Sequence, residues 1–239
     1  MPVERTRPHS PPRERGPIVA IDGPAGAGKS TVARRLADAL GFVLVDTGAM
    51  YRAVALAAVR GGVPWNDGER VAGLARGIVG AHALSFERGS HGGVVVRLEG
   101  EDVSEAIRMP NIAQGASTVS AHPEVRASLL DLQRQAGEEG GVVLEGRDIG
   151  TVVFPQAEVK FFLTASAEQR AKRRHEELVA KGQNVTFEET LADVQERDAR
   201  DSGRAVAPLK QAEDAILVDS TTLSLEETVA QMLERVRAL

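Results

Sequence analysis

The sequence predicts an α/β fold, with a five-stranded parallel sheet flanked by helices. Two observations lead to this prediction. Five short apolar runs have the continuous character of strands that are buried on both faces. Helical segments separate most of these runs, and alternating strands and helices favour a parallel sheet joined by crossover connections. The expected strands cover residues 17–22, 42–46, 141–146, 159–165 and 215–220.

The expected helices are marked by their ends. The first should end at Gly41, since glycine readily adopts the left-handed conformation that follows many helices. Pro123 divides two later helices, because the residue before a proline is biased away from the helical conformation. The earlier helices are expected over residues 29–40, 50–60, 111–120 and 123–136. Three later helices begin with capping-box spacing, at Ser166 with Gln169, Thr186 with Glu189, and Ser224 with Glu227.

Three segments depart from this pattern. Residues 63–108 contain short β-like pieces between glycine and polar turns, which predict a small antiparallel β insert. Residues 166–208 are charged and helical, and we expect them to form a lid that closes over bound substrates. Residues 1–16 hold four prolines and six charged residues without an apolar segment, so a disordered extension is expected rather than a secretory signal.

Composition and charge restrict the class of protein. The 239 residues carry a formal net charge of −5, so no overall positive field draws the chain to nucleic acid or a membrane surface. No apolar run reaches the roughly 18 residues that a membrane helix needs. Cysteine is absent, which excludes disulfides and thiolate metal sites and fits a reducing compartment. We therefore expect a cytoplasmic monomer without nucleic-acid or membrane partners.

The glycine-rich turn after the first strand matches a phosphate-binding loop. The stretch "GPAGAGKS" fits G-x-x-x-x-G-K-[ST] at every position and lies between an expected strand and helix, as in a P-loop NTPase core. Backbone N–H groups and the helix N-terminus can hold a polyphosphate, Lys29 can reach the β- and γ-phosphates, and Ser30 can offer its hydroxyl to Mg²⁺. ATP with Mg²⁺ is the expected donor. The candidate donor-binding residues here are Gly23, Pro24, Ala25, Gly26, Ala27, Gly28, Lys29, Ser30 and Thr31.

The loop alone leaves three reactions open: a hydrolytic switch, hydrolysis for mechanical work, and transfer to a small acceptor. A guanine-specific switch would carry N-K-x-D, which the sequence lacks, and a motor would usually be larger or carry extra modules. Transfer needs a second anion site opposite the loop. Three arginine–aspartate clusters offer one, because they follow expected strands or share a helix face. They are "DTGAMYR" at residues 46–52, "EGRDIGT" at 145–151, and Arg197 with Asp201 and Arg204.

Together these motifs resemble those of the bacterial cytidylate kinases, within the nucleoside monophosphate kinases. The resemblance extends over about residues 17–239 and is most specific in "EGRDIGTVVFP" and "ERDARDSGRAVAPL". It implies transfer of the γ-phosphoryl group of ATP to CMP or dCMP. It also implies a single kinase domain over residues 17–239. Its expected parts are a core at about 17–47, 140–165 and 209–239, a monophosphate-binding region with the β insert at 48–139, and the lid at 166–208.

The resemblance also implies a role for each matching residue. The residues that would act in the phosphoryl transfer itself are Lys29, Arg52, Arg147 and Arg204. The three arginines among them would hold the acceptor phosphate. The cytosine would be faced by Ser117, Arg126 and Asp148. The sugar hydroxyls would be held by Arg197 and Asp201, with Thr47 as a further acceptor-side residue. The ATP phosphates would be touched by two lid residues, Arg170 and Arg174. Ser30 would ligate the magnesium ion.

The chemistry of the proposed acceptor agrees with these residue types. A phosphate monoester has a second pKa of about 6 and is mostly a dianion at neutral pH, so the nucleophile needs no general base. Arginine forks and Mg²⁺ can offset the repulsion between two anions. The carboxylate of Asp148 only accepts hydrogen bonds and therefore suits the N4 amino group of cytosine. The guanidinium of Arg126 only donates them and suits N3 or O2. Uracil presents an oxygen at position 4, so we predict a preference for CMP and dCMP over UMP.

Two alternatives stay open on the sequence. One is a P-loop kinase that acts on another small acceptor, and the other is a regulator that binds ATP without transferring phosphate. Production of ADP with a panel of acceptors separates them. Asp22, which ends the first expected strand, is a further candidate for assisting Mg²⁺ through a water molecule.

Overall fold

The computed structural model describes residues 16–88 and 94–239, so the expected extension lies outside the described residues except for Gly16. The strands are β1 (Ile18–Asp22), β2 (Val43–Asp46), β3 (Leu84–Arg88), β4 (Val94–Leu98), β5 (Glu101–Asp102), β6 (Val142–Gly146), β7 (Val159–Thr164) and β8 (Ile216–Asp219). The helices are α1 (Lys29–Leu40), α2 (Thr47–Arg60), α3 (Gly68–Gly80), α4 (Pro110–Val119), α5 (Pro123–Gln135), α6 (Ala167–Ala180), α7 (Phe187–Ser202) and α8 (Leu225–Arg237). A 3₁₀ turn covers Ala106–Arg108, and a π-helical turn covers Ile149–Val153.

The expected five-stranded parallel sheet is confirmed. Its order is β2-β6-β1-β7-β8, and every neighbouring pair runs parallel. The central strand β1 pairs with β6 and β7, so that Asp22 lies level with Gly146 on one side and Phe162 on the other. The carboxyl ends of these three strands therefore meet at one edge, where open parallel sheets bind ligands.

An apolar layer covers each face of this sheet. Val19 and Ile21 point into one layer with residues of α1 and α8, whereas Ala20 points into the other with residues of α2 to α5. All three side chains are fully buried. Successive side chains of a strand face opposite sides, so a strand covered by helices on both faces is apolar throughout.

The predicted insert is only partly β. Three strands, β3, β4 and β5, form the expected small antiparallel sheet, but β5 has only two residues. Helix α3 was not expected. Asp67 caps it by accepting a hydrogen bond from the N–H of Arg70, and its buried side chains recur at helical spacing, at Val71, Ala72, Ala75 and Ile78. The many glycines and alanines in this stretch make the helical spacing of its apolar residues hard to see in the sequence.

Two other boundaries differ from expectation. Helix α2 begins at Thr47 rather than residue 50, because the Asp46 side chain accepts a hydrogen bond from the N–H of Ala49 at 3.1 Å and caps the helix directly after β2. The π-helical turn after β6 was not predicted at all. Capping boxes are confirmed at Thr186 with Glu189 and at Ser224 with Glu227.

Among the helices of residues 16–88 and 94–239, none combines the length and the apolar character needed to cross a bilayer.

Candidate active site

The phosphate-binding loop joins β1 to α1 and is held tightly against the sheet. Gly23 has φ of 149°, and a Cβ there would lie 1.9 Å from the carbonyl oxygen of Leu163, so only glycine fits. Gly28 has φ of 92° and caps α1. Lys29 is buried, and its Nζ donates a hydrogen bond to the carbonyl oxygen of Pro24 at 2.7 Å. The ammonium group thus lies within the curve of the loop.

Positive charge is concentrated around this lysine. Burial lowers the pKa of Lys29 well below its usual value, and the neighbouring guanidinium of Arg147 adds to this effect. Burial also lowers the pKa of Arg197 to about 10, with Arg147 and Arg52 acting in the same direction. These cationic groups, drawn from α1, α2, α7 and the end of β6, therefore lie close enough to repel one another. An anion would relieve that repulsion.

Several of these arginines are paired with aspartates. Nη2 of Arg52 lies 2.6 Å from Oδ2 of Asp46, and Nε of Arg147 donates to Oδ2 of Asp201 at 2.9 Å. Arg204 donates to the other oxygen of Asp201. Asp201 is buried, and the charges of Arg147 and Arg204 act with other contacts to hold its pKa below the usual value despite burial. Arg204 lies just beyond α7 rather than on it, yet it stays beside Asp201.

Unpaired polar atoms also gather here. In the described part of the chain, the buried atoms without a hydrogen-bond partner include Nε of Arg52, Arg197 and Arg204 and Oε1 of Glu145. Buried donors and acceptors without partners cost about 1–3 kcal/mol each, so they favour a ligand that would satisfy them. The three unpaired Nε groups would donate hydrogen bonds to an anion. The free oxygen of Glu145 would bind a cation or accept a hydrogen bond.

Glu145 is the site residue that the sequence interpretation missed most clearly. It lies on β6 directly before the "GRD" motif and is 4% exposed. Its Oε2 accepts a hydrogen bond from the Ser30 hydroxyl at 2.9 Å. The Ser30 hydroxyl and the free carboxylate oxygen are hard oxygen ligands of the kind that Mg²⁺ prefers, so these residues fit a magnesium ion. A carboxylate at a strand end beside the expected loop is the sequence signal that points to it.

We expect Glu145 to make folding stability depend on pH. Burial raises its pKa from 4.5 to about 7, with the nearby Asp46 carboxylate adding to the shift. Between these values the folded protein keeps a proton that the unfolded chain has lost, so stability falls as pH rises. Glu145→Gln removes this contribution, which is up to about 3 kcal/mol. Urea unfolding at pH 5, 6, 7 and 8 measures it, with the exposed Glu139→Gln as control. Equal pH slopes in wild type and Glu145→Gln would contradict the expectation.

Two of the three residues expected to face cytosine are in direct contact with each other. Nη2 of Arg126 donates to Oδ2 of Asp148, and both side chains are buried. The Arg126 guanidinium carbon lies 5.4 Å from the centre of the Tyr51 ring. Ser117 is buried on α4, and its hydroxyl accepts from Nη1 of Arg200 at 3.1 Å. Arg200 is a second residue at this site that the sequence interpretation missed.

Thr47 and the two lid arginines take different positions. The buried Thr47 hydroxyl donates to the carbonyl oxygen of Glu145 at 2.7 Å. Arg170 is buried; it makes two hydrogen bonds to Asp198, at 3.0 and 2.6 Å, and one to the loop carbonyl of Ala25 at 3.1 Å. Arg174 is partly exposed and pairs with a glutamate on its own helix. Arg170 thus joins the phosphate loop to α7 in this structure, and its expected contact with ATP stays a prediction.

A phosphate loop that faces a guanidinium cluster across the carboxyl edge of a parallel sheet defines a P-loop protein of the nucleotide kinase class. Within that class, the family model of the cytidylate kinases matches residues 19–238 of the chain. The chain therefore belongs to the cytidylate kinase family.

Curated relatives agree with this assignment. A cytidylate kinase of Syntrophotalea carbinolica is 56% identical over 217 residues, which are 91% of this chain and 90% of the relative. A cytidylate kinase of Geobacter sp. strain M21 is 55% identical, with 93% of each chain covered. A third, of Geobacter sulfurreducens, is 54% identical and covers 93% of this chain and 94% of its own. The similarity thus extends over nearly the full length on both sides.

Proposed function

We propose that the protein transfers the γ-phosphoryl group of ATP to CMP or dCMP and releases ADP with CDP or dCDP. The observation that carries this proposal is the cluster of Arg52, Arg147 and Arg204 at the same sheet edge as Lys29, with Nε of two of these arginines unpaired. Such a cluster suits an acceptor that is itself an anion. Membership of the cytidylate kinase family supports a cytidine monophosphate as that acceptor.

On the donor side, the loop from Gly23 to Thr31 would wrap the ATP phosphates, with Lys29 on the β- and γ-phosphates. Ser30 would hold Mg²⁺ together with the carboxylate of Glu145. When bound, the ion would neutralise charge between the β- and γ-phosphates. Among the described residues, no three His, Asp or Glu side chains are grouped as a metal-only site would need, so the ion would arrive with the nucleotide. Arg174 would move from its glutamate partner to the phosphates.

On the acceptor side, Arg52, Arg147 and Arg204 would hold the CMP phosphate. One of its oxygens attacks the γ-phosphorus in line, and the bond to the bridging oxygen breaks as ADP leaves. The attacking oxygen is already ionised at neutral pH, so no side chain has to remove a proton. Each arginine that stabilises the equatorial oxygens contributes most in the transition state, when charge spreads over them.

Cytosine would enter the pocket of Ser117, Arg126 and Asp148. The carboxylate of Asp148 accepts from the N4 amino group, and Arg126 donates to N3 or O2. Thr47 is the first residue of α2 and would line the acceptor side, with its hydroxyl donating to the carbonyl oxygen of Glu145. The sugar hydroxyls would reach Arg197 and Asp201 at the end of α7.

The wider organisation follows from this reaction. Residues 166–208, which include α6 and α7, would close as a lid and exclude water, so that ATP is not hydrolysed. Residues 48–139 would form the monophosphate-binding region beside the core. We further propose a monomer in the cytoplasm, because neither the length nor the composition of the chain demands a large apolar interface and the cysteine-free sequence suits a reducing compartment.

One assay tests the proposal against its rivals. ATP and Mg²⁺ are incubated with CMP, dCMP, UMP, AMP or no acceptor, and ADP is measured. We expect rapid ADP formation with CMP and dCMP only. Lys29→Ala should abolish it, whereas Lys181→Ala, which alters an exposed helix pair, should not. ADP formed without an acceptor, with a different acceptor, or in no condition would overturn the proposal.

A further inference from the structure

Asp22 is a buried carboxylate that lies between the two halves of the site. It ends β1 directly before the phosphate loop and is 4% exposed. Its Oδ1 accepts a hydrogen bond from the N–H of Ile149 at 2.8 Å, and its Oδ2 accepts one from the N–H of Gly150 at 2.7 Å. Each carboxylate oxygen of Asp22 is thus hydrogen-bonded to the backbone of the chain after β6.

The two N–H groups that donate to Asp22 belong to the first two residues of the π-helical turn Ile149–Val153. The residue before this turn is Asp148, whose own side chain does not cap it and pairs instead with Arg126. Asp148 has φ of −147° and ψ of 25°, an uncommon backbone conformation. A cap supplied from β1 therefore holds the turn while the Asp148 side chain stays available to the pocket.

The same contact couples the segment to a rigid part of the sheet. Asp22 is fixed by pairing with Gly146 and Phe162 on either side. Gly150 packs close against it, since a Cβ at position 150 would lie 3.4 Å from Oδ2 of Asp22 and 3.1 Å from Cδ of Lys160. The carboxylate thus ties the backbone of the "GRD" motif to the strand that carries the phosphate loop.

We propose that Asp22 is a positioning residue, which holds Asp148 and Arg147 in register with the phosphate loop and so sets the discrimination between acceptor bases. The inference rests on the proposed function. Burial raises the pKa of Asp22 to about 6 while the two N–H groups act to lower it, so at neutral pH the group is a carboxylate that only accepts. The charge of Lys29 also acts to lower this pKa, but a buried carboxylate stays expensive, and positioning of the motif accounts for its presence.

Asp22→Asn provides the test, because an amide can accept only one of the two hydrogen bonds and turns a donor toward the other N–H. We expect the ratio of kcat/KM for CMP to that for UMP to fall at least about tenfold, with the KM for CMP raised and the KM for ATP changed less than about threefold. A merely structural role would lower activity with both acceptors equally. Asp219→Asn is the matched control, since Asp219 also ends a strand and accepts from Thr221 but is exposed.

A second variant keeps the proposal testable if Asp22→Asn folds poorly. Gly150→Ala keeps the Asp22 carboxylate but places a methyl group 3.1 Å from Cδ of Lys160 and 3.4 Å from Oδ2 of Asp22. We expect the segment to shift by a small distance relative to β1, and the same ratio to fall in the same direction. An unchanged ratio in a folded Asp22→Asn, or in Gly150→Ala if the first does not fold, overturns the positioning role. Failure of the wild type to use CMP at all would instead overturn the proposed function, so the two failures are distinguishable.

Discussion

Arg147→Gln is expected to lower kcat with CMP by about 10³-fold or more. Arg147 lies directly after β6, and its pairing with Asp201 joins it to the end of α7. In phosphoryl transfer a well-placed arginine contributes about 10³-fold or more to kcat, and glutamine supplies neither its charge nor its fork. The measurement is steady-state ADP formation with saturating ATP and varied CMP.

Two comparisons make this result specific to the site. Arg97→Gln removes an arginine that pairs with Glu87 on the small antiparallel sheet, and it should retain wild-type kinetics. Urea unfolding of Arg147→Gln then separates loss of chemistry from loss of folded protein. Activity of Arg147→Gln within about threefold of wild type would show that this guanidinium does not stabilise the transferring group.

Asp148→Asn is expected to remove most of the preference for CMP over UMP. The carboxylate suits the cytosine amino group and repels the oxygen that uracil presents, whereas asparagine can also donate to that oxygen. A pocket built on such a hydrogen bond discriminates strongly, so the ratio of kcat/KM for CMP to that for UMP should fall by about 10²-fold or more. Competition between the two nucleotides in one reaction measures the ratio directly.

The ratio is insensitive to partial unfolding, because both acceptors meet the same protein. This matters since the substitution leaves Arg126 buried without a carboxylate, and that lowers stability. Asp131→Asn, an exposed change on the same helix as Arg126, should keep the wild-type ratio. If Asp148→Asn also kept it, the base would have to be recognised elsewhere in the pocket.

The sequence was sufficient for the sheet because its signals are local. Continuous apolar runs such as "VVLEG" mark strands covered on both faces, and the capping boxes mark helices without reference to the rest of the chain. Helix α3 was missed because its buried positions are partly alanines, which give little contrast with the exposed glycines around them. The π-helical turn depends on Asp22, a residue more than a hundred positions away, so no local pattern reveals it.

The residues of the site show the same difference between local signals and tertiary contacts. Motifs with fixed spacing indicated the phosphate loop and the three arginine–aspartate clusters. They did not indicate which acid pairs with which arginine, since Asp201 bridges Arg147 and Arg204 only once the fold brings β6 and α7 together. Likewise, nothing in the spacing of Arg170 shows that its guanidinium is directed to Asp198 and to the loop backbone. Such pairings depend on the tertiary structure.

We expect the pairing of the three proposed phosphate-binding arginines with acids of the same chain to affect turnover as well as binding. Each guanidinium that would grip the acceptor phosphate already has a tethered acid beside it, Asp46 for Arg52 and Asp201 for the other two. We expect an incoming phosphate to share these guanidinium groups with the acids, since Nε of Arg52 and of Arg204 has no partner among the described residues. Because the acids belong to the same chain, each guanidinium is expected to keep a charged partner after the product leaves. We therefore expect the resident carboxylates to weaken the hold on the product phosphate and to favour its release.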